Sequence, residues 1–390
     1  MHDPTSWATF AGRRASRAVE CVDLSEQPER LDSGLWFVVA DFEADLGRDG
    51  VTRPGGRARA WRFADVGPAP AAGGDGGRWC GPSPSAWTSS LDRDAYVRAV
   101  ATVRERVRRG DVYQVNVCRV LSAPLAASDA PSGTSSGISS GDARRDIVEP
   151  DAAALAARLA AGNPAPYAAA VHVPAASGLD PVWVVSASPE LYLSLDVPAG
   201  AAGGAASLAS GPIKGTARTP SGLTAKDRAE NVMITDLVRN DLQRVCRPGT
   251  VEVSDLLAVE EHPGLVHLVS RVRGELLADA PGRWARALEA TFPPGSVSGA
   301  PKSSALRLIA ELEPTARGPY CGAVGWVDGD AGRAELAVGI RTFWWEDAPG
   351  GGVLRFGTGA GITWGSDPAR EWDETELKAD RLVGLASSEG

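Results

Sequence analysis

A chain of 390 residues, 43% of them hydrophobic, can bury a sizeable core and has room for one large domain or two to three ordinary ones. Its net charge of −9 excludes the basic stripe that non-specific nucleic-acid binding requires. No run approaches the ~18 apolar residues of a membrane span, and Met1 to Arg17 lacks the apolar core of a signal peptide. Cys21, Cys80, Cys118, Cys246 and Cys321 are scattered, without a C-x-x-C pair, and read as thiols in a reducing cytoplasm. The four histidines form no H-E-x-x-H pattern, which excludes the usual zinc hydrolase.

Up to about residue 90 the sequence reads as irregular, apart from a strand-like run Leu35–Ala40 and a Gly/Pro-rich tract from Gly67 to Gly81. From residue 91 the pattern predicts a helix, with Tyr96, Val97, Val100 and Val103 on its apolar side, and then a strand over Tyr113 to Leu121. Residues 128–142, rich in Ser, Gly and Asp, lack hydrophobic periodicity and are expected to form a flexible surface insertion. Ala199 to Ala206 reads as a lengthened hairpin turn. Short strands and helices follow to the end, without β-α-β spacing or a dinucleotide motif. The division expected is a short divergent region, 1–90, and a catalytic domain, 91–388.

Four segments bear on chemistry. In Lys226–Leu242, Thr224 is an N-cap, and Asp227 and Glu230 share one face near the helix start. Alone, such a pair is usually a solvated acidic face that complements the helix dipole. Asp367-Pro368 opens a second helix, with Trp372, Thr375, Ala379 and Leu382 as its packing stripe and Glu371 and Glu374 again at i and i+3. Two such helices would supply oxygen ligands for magnesium. Gly357-Thr358-Gly359-Ala360-Gly361 reads either as an anion-binding concavity or as a tight hairpin. Arg341, at a strand end, suits a carboxylate clamp, or is a surface arginine. Lys214, in Pro212-Ile213-Lys214-Gly215-Thr216, would become nucleophilic if drawn out of water; as an ordinary turn lysine it would not.

Together with Asp111–Asn116, Ser188-Pro189-Glu190, Lys226–Asn231, Gly264–Ser270, Gly295–Lys302, Gly318–Gly322 and Ile340-Arg341-Thr342, these segments resemble the chorismate-utilising enzymes. That family includes anthranilate synthase component I, aminodeoxychorismate synthase component I, and the isochorismate and salicylate synthases. The resemblance implies an α+β fold of two facing, largely antiparallel β-sheets flanked by helices. It implies a Mg2+ site at Glu230 and Glu374, with Asp227 and Glu371 as outer carboxylates. It places Tyr320, Arg341 and Gly359, Ala360 and Gly361 at the enolpyruvyl carboxylate, and Thr216, Ser298, Gly299 and Lys378 around the same cavity. Glu190 matches a general acid, and His267 either a ring-facing histidine or a satisfied core one. Family members that activate water have a lysine where this chain has Gln114, which points away from isochorismate and salicylate formation. Lys214 matches the P-I-K-G-T motif of aminodeoxychorismate synthases, where anthranilate synthases resemble P-I-A-G-T. The implied reaction is amination of chorismate to 4-amino-4-deoxychorismate, toward p-aminobenzoate and folate. Ammonia would come from a separate glutamine amidotransferase subunit in a heterodimer, because no glutaminase nucleophile is readable here. Anthranilate synthase component I and a non-catalytic chorismate-binding homologue are the alternatives.

Two departures from the family pattern stand out. Ala217 follows the K-G-T turn where arginine is common, and Ser298 replaces threonine. No tryptophan-binding pocket is readable in the N-terminal region.

Overall fold

The computed structural model describes residues 5–46, 55–69, 77–125, 149–196, 206–262, 265–277, 282–348 and 351–388. The expected 128–142 insertion and most of the 199–206 turn lie outside them, as does Gly264. The N-terminal stretch forms β1 (Trp7–Phe10), β2 (Arg13–Asp23), β3 (Leu35–Ala40), β4 (Ala58–Pro68) and a short β5 (Thr88–Ser89). Helix α1 (Arg93–Arg109) leads into β6 (Gln114–Pro124), and α2 (Ala152–Gly162) precedes β7 (Tyr167–Val173), β8 (Val182–Ser188) and β9 (Leu191–Asp196). Next come β10 (Ser207–Gly211), β11 (Ile213–Ala217), α3 (Ala225–Gln243), β12 (Glu252–His262) and β13 (Leu265–Glu275). The chain continues through α4 (Arg283–Thr291), β14 (Gly299–Ala300) and α5 (Lys302–Leu312). It ends with β15 (Ala323–Asp328), β16 (Arg333–Val338), β17 (Thr342–Glu346), β18 (Val353–Ile362) and α6 (Pro368–Ala386).

Among the described residues every strand pairing is antiparallel, and the strands form one ribbon. From one edge it runs β12, β13, then β10 with its continuation β11, and on through β9, β16, β15, β3 and β4. It turns through β2 and β1 and returns as β7, β8, β17, β18 and β6, with β5 and β14 on β6. The ribbon doubles back on itself: Phe37 of β3, Leu193 of β9, Val184 of β8 and Val117 of β6 all belong to one buried core. A second core lies on the outer face of the returning half, where Trp183, Phe343 and Phe356 meet Leu155 and Leu159 of α2 and Ala379 and Leu382 of α6. The two facing antiparallel layers with helices outside are those expected from the sequence. Burying each such side chain contributes about 1.5–3 kcal/mol.

The first 90 residues differ from the sequence reading, which saw irregular chain around a single strand. Strands β2 and β4 escape a hydrophobicity pattern because their inward positions include alanines, Ala15, Ala18, Ala58 and Ala60, beside arginines. Their register comes from pairing with each other and with β1 and β3, which is long-range information.

Among the links that carry the chain between the halves of the ribbon, two are short, and both carry site residues. Ser188-Pro189-Glu190 joins β8 to β9, and Gly339-Ile340-Arg341 joins β16 to β17. A third element, Arg317, locks the layers around this seam. Its buried guanidinium pairs bidentately with Glu313 at 2.7 and 2.6 Å and donates to Val297 O and Asn116 O, both at 2.9 Å. It also lies over the Phe42 ring, 4.2 Å from the centroid. Glu313 in turn accepts the Cys118 N–H of β6. Removing one partner of a buried ion pair strands the other charge out of water. Arg317→Ala should therefore cost about 3–5 kcal/mol in urea unfolding. The exposed pair Arg333–Asp196, 3.5 Å apart, gives the contrast, since Arg333→Ala should cost less than about 0.5 kcal/mol.

Candidate active site

The site lies at the seam between the two layers. Glu190 is buried just before β9, whose Leu191 lies opposite Gly211 at the end of β10. Burial pushes its carboxyl up to about 7, against the opposing pull of the Ser296 hydroxyl, the Lys214 ammonium, the Ile213 N–H and Arg341. Glu190 Oε1 keeps no hydrogen-bond partner among the described residues. Ser188 fixes the turn: its hydroxyl donates to Val338 O at 2.6 Å and accepts the Glu190 N–H at 3.3 Å.

Lys214 lies on β11, where a bulge interrupts pairing with β13. Burial lowers the pKa of its amine, and the carboxylates of Glu230, Glu190 and Glu374 oppose the shift. Its Nζ faces β18: a Cβ added at Gly361 would stand 3.3 Å from Lys214 Nζ and 2.9 Å from Gln114 Nε2. Gln114 is fully buried, and among the described residues neither its amide nitrogen nor its amide oxygen has a hydrogen-bond partner. Buried amides rarely stay unpaired without a functional reason. Amine and amide thus converge beside Gly361, with the Glu190 carboxyl near enough to act on the amine electrostatically.

Arg341 approaches from the second link. It holds a left-handed φ of +53°, a costly conformation for a non-glycine residue, and its carbonyl accepts the Ala187 N–H at 3.0 Å. Burial lowers its guanidinium pKa, with Glu190 opposing. Tyr320 packs its ring where a Cβ of Gly357 would be, 2.0 Å from the ring's Cγ, so β18 must have glycine there. Gly359 is likewise required by Cys118 Sγ, 2.5 Å from its would-be Cβ. The glycine run is therefore neither a turn nor a loop but strand β18, paired with β6. Its pairing with β17 stops at Phe343↔Phe356, so beyond Phe356 that edge of β18 lies outside the β17 ladder. Lys378 donates to one carbonyl of this stretch, Gly359 O, at 3.1 Å. Ala360 turns the other way, into the main core.

The remaining expected residues are placed as follows. His267 is buried on β13, in register opposite Thr216, whose backbone lies in β11 and whose side chain is outside the described residues. Gly299 has φ +150° and brings β14 against β6, with its would-be Cβ 2.2 Å from Gln114 O. The Ser298 hydroxyl donates to Pro294 O at 3.0 Å, holding its own loop. The Asp227 carboxylate is committed to the capping box, accepting from Thr224 N and Oγ1 at 2.8 and 2.7 Å.

Helices α3 and α6 bring the other carboxylates together. Lys226, on α3, reaches Glu230 Oε1 at 3.5 Å and Glu371 Oε1 at 3.2 Å, so one ammonium ties the two helices. Lys378 pairs with Glu374 at 2.6 Å. Burial pushes the Glu374 carboxyl up, but the ammoniums of Lys378, Lys226 and Lys214 outweigh it and leave its pKa lowered. Among the described residues no three carboxylate, histidine or cysteine side chains already form a metal-binding group. An all-oxygen donor set from two helices, with the buried Glu230 Oε1 held only by the long 3.5 Å contact to Lys226 among the described residues, nonetheless suits a hard cation that keeps several waters.

The sequence reading passed over Arg119. This buried β6 guanidinium donates to Thr375 Oγ1 at 3.0 Å and Ser89 Oγ at 3.2 Å, pairs with Glu376 and lies over Trp372, which pins α6 to the sheet. Nothing in a strand reading Val117-Cys118-Arg119-Val120 marks it.

A sequence model described as chorismate binding enzyme matches residues 81–384. The chain belongs to this family. It is 36% identical over 310 residues to "Anthranilate synthase component 1" of Streptomyces coelicolor, a match covering 76% of this chain and 52% of that protein. It is 33% identical over 312 residues to "Aminodeoxychorismate synthase component 1" of Klebsiella aerogenes, covering 77% and 59%. The chain thus spans little more than half the length of these curated relatives. Among solved structures it resembles an anthranilate synthase component I from Streptococcus pneumoniae, with TM-score 0.68 and 20% identity over 98% of this chain and 91% of that one. It also resembles a putative 2,3-dihydroxybenzoate-specific isochorismate synthase from Bacillus anthracis, with TM-score 0.70 and 22% identity over 98% and 96%. These likenesses establish the fold. No helix among the described residues is long and apolar enough to cross a membrane.

Because the folded chain raises the Glu190 pKa, the stability tied to that carboxyl is full below the ordinary carboxylate range and is lost as pH rises through about 7. Between about pH 5 and about pH 8 the wild type should lose roughly 2 kcal/mol relative to Glu190→Gln. Denaturant unfolding of both proteins at the two pH values measures it, and parallel pH profiles would refute a raised pKa.

Proposed function

We propose that this chain aminates chorismate to 4-amino-4-deoxychorismate, with Lys214 as a transient nucleophile, on the way to p-aminobenzoate and folate. The observation that carries the reading is the Lys214 amine itself. Burial lowers its basicity, and it stands beside Gly361 and the unpaired Gln114 amide, with Glu190 acting on it electrostatically. The likeness to the Klebsiella protein supports the reading.

In the proposed sequence the neutral Lys214 amine bonds to a ring carbon while the C–O bond to the ring hydroxyl breaks. Glu190 delivers the proton with which that hydroxyl leaves as water, a task suited to a carboxyl with a pKa near neutrality. Ammonia then bonds to the carbon that lost the hydroxyl as the C–N bond to Lys214 breaks, and the enolpyruvyl group stays on the ring. Covalent catalysis divides one hard substitution into two easier ones. Arg341 and the open edge of β18 would receive the enolpyruvyl carboxylate, with Tyr320 packed against that strand. Bound magnesium would neutralise and hold the ring carboxylate, and Glu230 and Glu374, with Glu371 behind them, are the residues that would hold it. Relatives named "component 1" support a separate ammonia source, a glutamine amidotransferase subunit in a heterodimer. Localisation is proposed to be cytoplasmic.

A second reading, anthranilate synthase component I, is favoured by the Streptomyces match and by others of the same name from archaea and a cyanobacterium. Product identification by liquid chromatography separates the two, using chorismate, magnesium and ammonium at alkaline pH. The expected product is 4-amino-4-deoxychorismate, convertible to p-aminobenzoate by an added lyase, and Lys214→Ala should lower the rate at least about 100-fold. Anthranilate from the wild type, or full activity in Lys214→Ala, would overturn the proposal.

A further inference from the structure

Lys226 occupies a position that electrostatics would give to a metal. Its ammonium stands between Glu230 of α3 and Glu371 of α6, 3.5 and 3.2 Å from their oxygens, and its charge also acts on Glu374 one turn further along α6. The carboxylates it serves are the ones proposed above to hold or flank magnesium. Glu371 is almost fully buried, whereas the Lys226 side chain keeps nearly half its surface in water. A long flexible stem with an exposed flank can swing outward without disturbing the core. The two glutamates cannot retreat in the same way, because α3 is anchored by Asn231, whose amide donates to Leu268 O at 2.9 Å. Helix α6 is anchored by Arg119 through Thr375, and by Thr358, whose hydroxyl donates to Thr375 O at 3.0 Å.

A divalent cation entering between Glu230 and Glu374 would face this ammonium at close range, and like charges that close repel strongly in a partly desolvated site. We propose that Lys226 is a built-in counter-cation. Its ammonium holds the α3 and α6 carboxylates together when no metal is bound, and magnesium binds by displacing it toward solvent. Lys226 thereby sets the metal affinity of the site. The inference rests on the reading that the metal binds at Glu230 and Glu374.

The test is calorimetric titration of Mg2+ into the whole protein, with chorismate present and ammonium omitted so that no amination occurs, alongside thermal melts with and without Mg2+. Variants Lys226→Met and Lys226→Gln should bind Mg2+ about five- to tenfold more tightly than wild type, the range set by the two partly exposed ion pairs that the metal must otherwise break. Both should melt lower than wild type without metal and show a larger rise in Tm on adding it. Lys226→Arg, which keeps the charge, should bind Mg2+ as the wild type does. Glu230→Gln is the control on the site: if it binds Mg2+ as well as wild type does, or if wild type binds none, the metal reading fails and the inference with it. If Glu230→Gln loses binding while Lys226→Met binds no tighter than wild type, the role of Lys226 alone is overturned.

Discussion

Withdrawing charged groups from water is the constraint on which this molecule is organised. Glu190 and Lys214 are ordinary in composition and unusual only in where they sit, at the seam between two sheet layers. In water the carboxyl would be ionised and the amine protonated at neutral pH. Burial moves each toward its neutral form, while each partially restores the charge of the other, so the pair is poised between the two states. In the proposed reaction, an acid able to give up a proton and an amine able to attack follow from one cause.

That placement depends on the ribbon doubling back. Glu190 and Arg341 lie on the two short links by which the chain passes between layers, and both links are fixed by main-chain hydrogen bonds: Val338 N–H to Glu190 O, and Ala187 N–H to Arg341 O. The left-handed backbone at Arg341 is a local cost that the surrounding ladders hold in place. Arg317 performs the same service from behind, joining β6, α5, the Val297 loop and Phe42 through one buried guanidinium. The N-terminal strands thus form part of the scaffold that shapes the site.

The carboxylate side follows the same logic at lower cost. Helices α3 and α6 each present glutamates toward the seam, and lysines on the same helices, Lys226 and Lys378, balance them. Those lysines keep about half their surface in water, whereas the Arg317–Glu313 pair is wholly buried.

Much was legible in the sequence where the signal is local. The capping box at Thr224, the N-cap at Asp367, the helices that follow, the α1–β6 unit and the i, i+3 spacing of Glu371 and Glu374 depend on residues a few positions apart, and the structure reproduces them. Motif order also carried the family, since those segments had to occur together. What only the tertiary structure decided depends on residues far apart in the chain. The alanine-lined strands before residue 90 have no register until they pair, and the glycines of β18 read as a loop because nothing in their own sequence reveals the Tyr320 ring and Cys118 sulfur that require them. Asp227 looked equivalent to Glu230 by spacing, but its shorter side chain was taken by the cap one turn back. Arg119 carried no pattern at all, and Lys226 stood in a motif without a role of its own, because a charge acquires its role only from the partners that folding brings within a few ångströms.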